Sequence, residues 1–185
     1  VLQVLASLDR GGAESMIMNI YRNIDRNKIQ FDFVVNERET EYAYEVEIRE
    51  LGGRIYHMPS YKIANYFTYK RAWKRLLCEH PEWSIVHGHH TSPAFIYLTV
   101  ANSLNRVTIA HSHTAGSERS LRSRTKVLTR YPLRYIADYL FACSSSAAKW
   151  MFGTHSASAS IINNAIDVKK FIFNEITRKE KRREF

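Results

Sequence analysis

The chain has 185 residues, of which 45% are hydrophobic and 12% aromatic, so it can bury a core, and a disordered chain is excluded. Its net charge of +9 favours anionic partners such as nucleic acid, an acidic membrane face or phosphorylated substrates, although a solvated basic surface accounts for it equally well. No run of 18 apolar residues could span a bilayer.

Short apolar runs alternate with amphipathic segments along the chain. Strands are predicted at 1–6, 31–36, 54–59, 84–90, 107–114, 139–143 and 158–167, the fourth and fifth with their loops. Helices are predicted at 13–24, 41–53, 65–81, 92–105, 132–138 and 145–152. This alternation predicts an α/β fold with a Rossmann-like, doubly wound parallel sheet over residues 1–168. Residues 169–185 are predicted as the start of a linker, a helix start or a frayed end.

Polar residues cluster where the predicted strands end. They are the loop 9–14, then His87, His89 and His90, then His111 and His113, then Ser144, and finally Asn163, Asn164 and Asp167. Ligands of open parallel sheets bind at the carboxyl ends of the strands. Each residue alone would be an ordinary polar strand end, but five such ends together predict one crevice.

The loop "DRGGAES" follows the first strand and leads into a helix. Gly11 and Gly12 would let the backbone approach a phosphate at the positively polarised helix start. The loop has neither the G-x-G-x-x-G nor the Walker pattern, and a turn that needs positive φ explains two glycines equally well.

The histidines of "HGHH" and "HSH" suggest either a metal or polar contacts to a ligand. No carboxylate occurs between Glu82 and Glu118, so we expect no metal. His111 and His113 lie two residues apart and share one face of a strand, where either could contact a hydroxyl or a phosphate.

Two basic segments suggest an anionic membrane surface. One carries the cations Arg119, Arg122, Arg124, Lys126, Arg130 and Arg134. The other, the helix around 65–77, combines Lys70, Arg71, Lys74 and Arg75 with Tyr66, Phe67, Tyr69 and Trp73. This mixture is typical of interfacial helices, but an aromatic stripe packed on the core beside a solvated basic face is the slightly favoured alternative for that helix. Nucleic acid is not expected, because no recognition motif accompanies the charge.

Cys78 and Cys143 are predicted to be buried thiols, which indicates a reducing, cytoplasmic compartment. The sequence shows neither a G-x-S-x-G elbow nor a Ser-His-Asp order, so no covalent nucleophile is expected. Because the chain begins at Val1, we expect it to be a fragment of a longer protein.

Taken in order, "GGAES", "SIVHGHH", "VTIAHSHT", "ADYLFACSSSAAKWMFG" and "SIINNAIDVKKF" resemble the N-terminal domain of retaining glycosyltransferases with the GT-B fold. The resemblance is closest to family 4, also called group 1, and within it to bacterial capsular and exopolysaccharide transferases. It covers nearly the whole chain. Asn164 and Asp167 match the family's Pro-Asn-Gly-(Ile/Val)-Asp pattern, whereas Asn163 and Ala165 replace its proline and glycine.

The resemblance implies a domain that binds mainly the acceptor, a saccharide or a lipid-linked sugar. Gly11 and Gly12 would approach the diphosphate of a nucleotide-sugar donor, and His111 or His113 would lie near the transferred sugar. Further contacts are expected from Glu14, His87, His89, Ser144 and Asn164, with no cofactor and no metal. A second domain, which this chain lacks, would bind the nucleotide, so the fragment alone should be inactive. The protein would work in the cytoplasm or on the inner face of the cell membrane.

Three other functions stay open from the sequence. A nucleotide-sugar 2-epimerase shares the overall fold but should carry more carboxylates at the strand ends. A dinucleotide-dependent oxidoreductase should show the G-x-G-x-x-G pattern, which is missing. A non-catalytic module that binds an anionic ligand would need no second domain.

Overall fold

Seven parallel strands form a single sheet in the computed structural model, which describes residues 1–89, 91–115, 129–168 and 172–184. The strands are β1 (Leu2–Val4), β2 (Asp32–Asn36), β3 (Ile55–Met58), β4 (Ile85–Gly88), β5 (Val107–Ser112), β6 (Tyr139–Ala142) and β7 (Ser160–Ile161). Their spatial order is β3-β2-β1-β4-β5-β6-β7. The predicted Rossmann-like α/β fold is therefore confirmed.

The helices of the described residues follow the strands in the predicted order. They are α1 (Gly12–Asn23), α2 (Glu45–Glu50), α3 (Tyr66–Glu79), α4 (Thr91–Ser103), α5 (Leu133–Ile136), α6 (Ser145–Phe152) and α7 (Glu175–Glu184). Short 3₁₀ segments occupy Ile63–Asn65 and Gly153–Ser158. None of these helices is both long and apolar enough to cross a membrane.

Two groups of buried side chains cover the two faces of the sheet. Neighbouring residues of β2 belong to different groups: Phe33 packs with Tyr21, whereas Val34 packs with Trp73. This alternation follows from the pleat, which points successive side chains to opposite faces. The strands read as continuous apolar runs because both faces are covered.

The strand order reverses between β1 and β4. The chain runs outward from β1 to β3 and then returns through α3 to place β4 on the other side of β1. A reversal of this kind opens a crevice at the carboxyl ends of the two strands. The loop after β1 and the histidines after β4 both lie at this edge.

Two expectations about secondary structure and burial were wrong in detail, the extent of the last strand and the burial of the cysteines. The last strand comprises only Ser160–Ile161, because a 3₁₀ segment occupies the residues before it and the chain then leaves the sheet. The tail includes a helix, α7, with no buried residue, and a helix start was one of the three alternatives for this segment. Cys78 is exposed on α3 and Cys143 is half-buried, so the two thiols are free, as predicted, but not buried.

Helix α3 combines both interpretations of its sequence. Tyr69 and Trp73 are buried against the core, as the alternative of an aromatic stripe predicts. Phe67 is 78% exposed, and Ile63, just before the helix, is 86% exposed. Arg130, in the basic segment at 119–134, is buried, with its guanidinium 4.5 Å from the ring centre of Trp150, so it does not face a membrane. The cations at 119–126 lie outside the described residues.

Candidate functional site

Four imidazoles form a compact array at the carboxyl ends of β4 and β5. His87 and His89 project from one face of β4 and its extension, with ring centres 4.1 Å apart. His111 and His113 likewise project from one face of β5 and its extension, and their ring centres are also 4.1 Å apart. Because His87 pairs with Ile109 in the sheet, His89 lies opposite His111, and their ring centres are 5.3 Å apart. The structure thus brings together all four histidines predicted for the site.

A hydrogen-bond chain starting at Gln3 determines the tautomer of His113. Gln3 Oε1 can only accept, so His89 Nε2, 2.8 Å away, carries a hydrogen and donates it. His89 Nδ1 then has no hydrogen and offers a lone pair, and His113 Nε2 donates a hydrogen bond to it over 2.7 Å. The remaining nitrogen, His113 Nδ1, is therefore a hydrogen-bond acceptor, and it is buried without a partner of normal geometry.

A second pair fixes the other half of the array. His87 Nε2 and His111 Nδ1 lie 3.2 Å apart, so one of these nitrogens donates to the other. His111 is fully buried, and its Nε2 atom has no hydrogen-bond partner. An unpaired buried nitrogen costs about 1–3 kcal/mol of stability, which is the kind of cost tolerated at functional sites.

All four imidazoles are neutral at physiological pH. Burial lowers the pKa of His87 to about 3 and that of His111 to about 2, and the neighbouring histidines add to both effects. Burial also lowers the pKa of His89 well below its usual value. Burial lowers the pKa of His113 to about 4, although the side chain of Asn164, which can accept a hydrogen bond from the imidazole, raises it. The array therefore offers lone pairs and N–H groups rather than positive charge.

Asn164 reaches the array although it lies 51 positions after His113. After β7 the chain turns back toward α1, where Asn19 Nδ2 donates to the carbonyl oxygen of Ala165 over 2.9 Å. This crossing brings the Asn164 side chain beside His113, while Asn164 itself stays exposed. A ligand in the crevice could thus contact both side chains.

The start of α1 is open at this edge of the sheet. Gly11 is the N-cap and Gly12 the first helical residue, and no side chain caps the free amides of the first turn. A Cβ on Gly12 would meet no described atom within 4 Å, whereas a Cβ on Gly11 would collide with the carboxylate of Glu14. Neither glycine has a positive φ, which contradicts the alternative of a turn that needs one.

The carboxylate at the beginning of the same loop is neutralised by Arg38. Arg38 donates to both oxygens of Asp9, at 2.6 and 3.1 Å, and lies over the ring of Tyr42. This hydrogen bonding lowers the pKa of Asp9. An anion approaching the start of α1 therefore meets Asp9 as a paired carboxylate, whereas the carboxylate of Glu14 lies against Gly11 at the same helix start.

Two of the predicted contacts already have partners within the protein. Ser144 Oγ accepts a hydrogen bond from the amide of Ala147 and caps α6. Ser7 Oγ donates to Glu14 over 3.4 Å. His90, which the sequence also placed at a strand end, lies outside the described residues.

The array also has the composition of a metal site. One ring nitrogen from each of His87, His89 and His111 lies within 4.8 Å of the others. We expected no metal because carboxylates are missing from this part of the sequence, but three imidazoles suffice for some zinc sites.

Sequence reasoning missed Gln3. This side chain is buried in the middle of β1 and holds His89 from the neighbouring strand. The signal was available, because a single amide interrupts the apolar run "VLQVLASL". Since buried polar groups need partners, this amide indicates a polar neighbour on the next strand, where the strand order reverses between β1 and β4.

Comparisons with known proteins agree with this architecture. The model of Glycosyltransferase Family 4 matches residues 10–170. EpsF of Bacillus subtilis (strain 168), named as an inferred glycosyltransferase, is 33% identical over 181 residues, which cover 94% of this chain and 47% of EpsF. The chain thus spans about half the length of this relative.

The structural neighbours are remote in sequence and show the fold alone. HepE of Anabaena, solved in complex with UDP and glucose, is 13% identical with a TM-score of 0.71, over 99% of this chain and 49% of HepE. A UDP-N-acetylglucosamine 2-epimerase from Listeria monocytogenes, inferred as such, is 12% identical with a TM-score of 0.61, over 94% of this chain and 48% of the epimerase. The sheet thus forms one half of a GT-B fold, and since the family model covers most of the sequence, the chain belongs to glycosyltransferase family 4.

Proposed function

We propose that this chain is the N-terminal, acceptor-side half of a retaining glycosyltransferase. The full-length protein would move a sugar from a nucleotide-sugar donor to a saccharide or lipid-linked acceptor during the synthesis of a cell-surface polysaccharide. Membership of family 4 and the 33% identity to EpsF support the reaction class. UDP bound to the structural neighbour HepE supports a UDP-sugar as donor. A second half of similar length would bind the nucleotide, so this half alone would not catalyse transfer.

The start of α1 would hold the donor's diphosphate. Free first-turn amides and the helix dipole attract anions, and the absence of a side chain on Gly12 leaves room for a phosphate to approach. Asp9 does not repel the donor, because Arg38 neutralises it. The same amides would stabilise the negative charge that develops on the leaving diphosphate, and Glu14 would move off Gly11 to contact the donor or the acceptor.

His113 is our choice between the two candidate histidines, and its lone pair is the observation that carries the proposal. Its Nδ1 atom is a hydrogen-bond acceptor without a partner of normal geometry, and the His113 ring lies beside the exposed Asn164. A sugar hydroxyl could donate to this nitrogen while Asn164 contacts a neighbouring hydroxyl. His111 is fully buried and would act by packing against His113. His87 and His89 would position the array, and Ser144 would act through α6.

Product analysis of the full-length protein tests this proposal. The protein is incubated with a panel of UDP-, GDP- and TDP-sugars, with and without saccharide and lipid-linked acceptors, and the products are separated by mass spectrometry. We expect a glycosylated acceptor and free nucleotide diphosphate that form only when an acceptor is present. An epimerised donor formed without an acceptor would refute transfer in favour of the 2-epimerase, and binding without turnover of any donor would favour a binding module.

A membrane-facing role is part of the same proposal. Ile63 and Phe67 expose large apolar side chains at one end of α3, and the exposed cations Lys62, Lys70, Arg71, Lys74 and Arg75 lie on the same segment. An apolar anchor beside cations is suited to anionic headgroups, which would place the protein on the cytoplasmic face of a membrane that supplies lipid-linked acceptors. Co-sedimentation with vesicles that contain anionic lipid, at low and high salt, is expected to show salt-sensitive binding. Equal absence of binding to anionic and neutral vesicles would refute this role.

A further inference from the structure

Three of the four imidazoles are arranged to ligate a metal ion. One nitrogen from each of His87, His89 and His111 lies within 4.8 Å of the others. In a tetrahedral site with zinc–nitrogen bonds of about 2.0–2.1 Å, ligand nitrogens are about 3.4 Å apart. His87 Nε2 and His111 Nδ1 are already separated by 3.2 Å. Rotation of the rings about their soft terminal torsions would close the remaining distance of about an ångström.

The arrangement of these side chains suits metal binding. Metals bind imidazole through the lone pair of a ring nitrogen, and the sheet already holds three such rings together. When His111 ligates through Nδ1, its Nε2 atom carries the proton, and this buried atom has no hydrogen-bond partner that would have to be given up. His89 is oriented by Gln3, as metal-ligating histidines are oriented by an acceptor on their second nitrogen.

The donor set selects the kind of ion. Imidazole nitrogens prefer Zn²⁺, Cu²⁺, Ni²⁺ and Co²⁺, whereas Mg²⁺ and Ca²⁺ prefer oxygen. Among the described residues no carboxylate joins the three histidines. Three protein ligands leave the fourth tetrahedral position to a water molecule, a hydroxide or an anionic oxygen.

We propose that His87, His89 and His111 form a binding site for a divalent transition-metal ion of the zinc type at the carboxyl edge of the sheet. The sheet alone brings the three side chains together, so metal binding can be tested without sugar transfer. His113 lies just outside the ligand set. Its Nε2 atom is 2.7 Å from His89 Nδ1, the nitrogen left to ligate the ion, so metal binding would replace the hydrogen bond between these two rings.

Titration of the 185-residue chain with metal alone tests the site. After treatment with a chelator and its removal, the protein is titrated calorimetrically with Zn²⁺ and with Mg²⁺, and Co²⁺ is added as a spectroscopic probe. We expect one Zn²⁺ per chain, no Mg²⁺ binding, and the intense visible absorption of tetrahedral Co²⁺. His87→Gln removes one of the three ligands and should lower the Zn²⁺ affinity at least about tenfold.

Matched controls separate this site from other zinc ligands on the surface. His155→Gln and Cys78→Ser change a histidine and an exposed thiol outside the array, and both should bind Zn²⁺ as the unchanged chain does. X-ray absorption at the zinc edge of the unchanged protein does not depend on any variant folding, and it should report three imidazole ligands and no sulfur. Absence of Zn²⁺ binding, binding that survives His87→Gln, or sulfur around the ion would overturn the proposal.

Discussion

Replacing Gly12 by alanine separates a functional glycine from a structural one. Gly12 is the first residue of α1, has no positive φ, and a Cβ there would meet no described atom within 4 Å. Alanine at a compatible helical position stabilises a protein by about 0.4–1 kcal/mol, chiefly by restricting the unfolded chain. For a chain of this size we expect the melting temperature to rise by about 1–4 °C.

The same substitution should weaken donor binding. A phosphate bound at the helix start would lie about 2.7–3.2 Å from an amide nitrogen, and a methyl group on Gly12 would hinder its approach. Loss of one hydrogen bond to a charged group costs about 1.5–3 kcal/mol, which corresponds to about a ten- to hundredfold higher Kd for UDP and KM for the donor.

Calorimetric unfolding of the 185-residue chain and UDP titration of the full-length protein, each with Gly12→Ala, measure the two effects. Thr99→Ala is the matched control, because it improves helix propensity on an exposed part of α4, two turns from the carboxyl edge. The control should bind UDP normally. A Gly12→Ala variant that is more stable but binds UDP with unchanged affinity would show that the donor's phosphates lie elsewhere.

Three further predictions concern stability and membrane binding. Below pH 6.5 the histidines bind protons in the unfolded chain but stay neutral in the folded one, so in the presence of a chelator the free energy of unfolding should fall as the pH drops toward 4. Urea titrations should show that His87→Gln reduces this dependence by up to about 1.4 kcal/mol per pH unit. An unchanged pH dependence would contradict burial of His87 in its neutral form. Asp32→Ala removes the acceptor of the buried Trp83 indole N–H and the ion-pair partner of Arg54. Urea unfolding should therefore show that the free energy of unfolding falls by about 1–3 kcal/mol, while sugar transfer by the full-length protein is retained. An unchanged free energy of unfolding would contradict this. Phe67→Ser should reduce co-sedimentation with anionic vesicles without lowering the melting temperature, whereas unchanged co-sedimentation would exclude Phe67 as the anchor.

The strands could be predicted because the sheet is covered on both faces. Continuous apolar runs such as "FDFVVN" mark buried parallel strands, and the glycines after residue 51 mark a helix end correctly. The predicted length of the last strand was too great, because the polar run "NNAID" has no hydrophobic periodicity. Without it, a strand cannot be told from a loop that crosses the edge of the sheet. That crossing depends on a long-range contact, the hydrogen bond from Asn19 to Ala165, which local patterns do not encode.

The candidate site could be located from the sequence but not resolved. Strand ends predict which histidines meet, because parallel strands place their carboxyl ends at one edge. The choice between His111 and His113 required the tautomers, and these depend on Gln3, which lies 86 positions before His89. The open space at Gly12 likewise becomes visible only when neighbouring side chains are in place.

The most direct test of the proposed site compares sugar transfer by full-length His113→Ala with that of His155→Ala, which changes a histidine outside the array. Both variants are first checked for an unchanged melting temperature, and initial rates are then measured with the donor that the product analysis identifies. We predict that His113→Ala loses at least about a hundredfold in kcat/KM, as expected when a positioned hydrogen-bonding group is removed, and that His155→Ala keeps the full rate. Full activity of a folded His113→Ala variant would contradict the assignment of the lone pair on His113 Nδ1 to the transferred sugar.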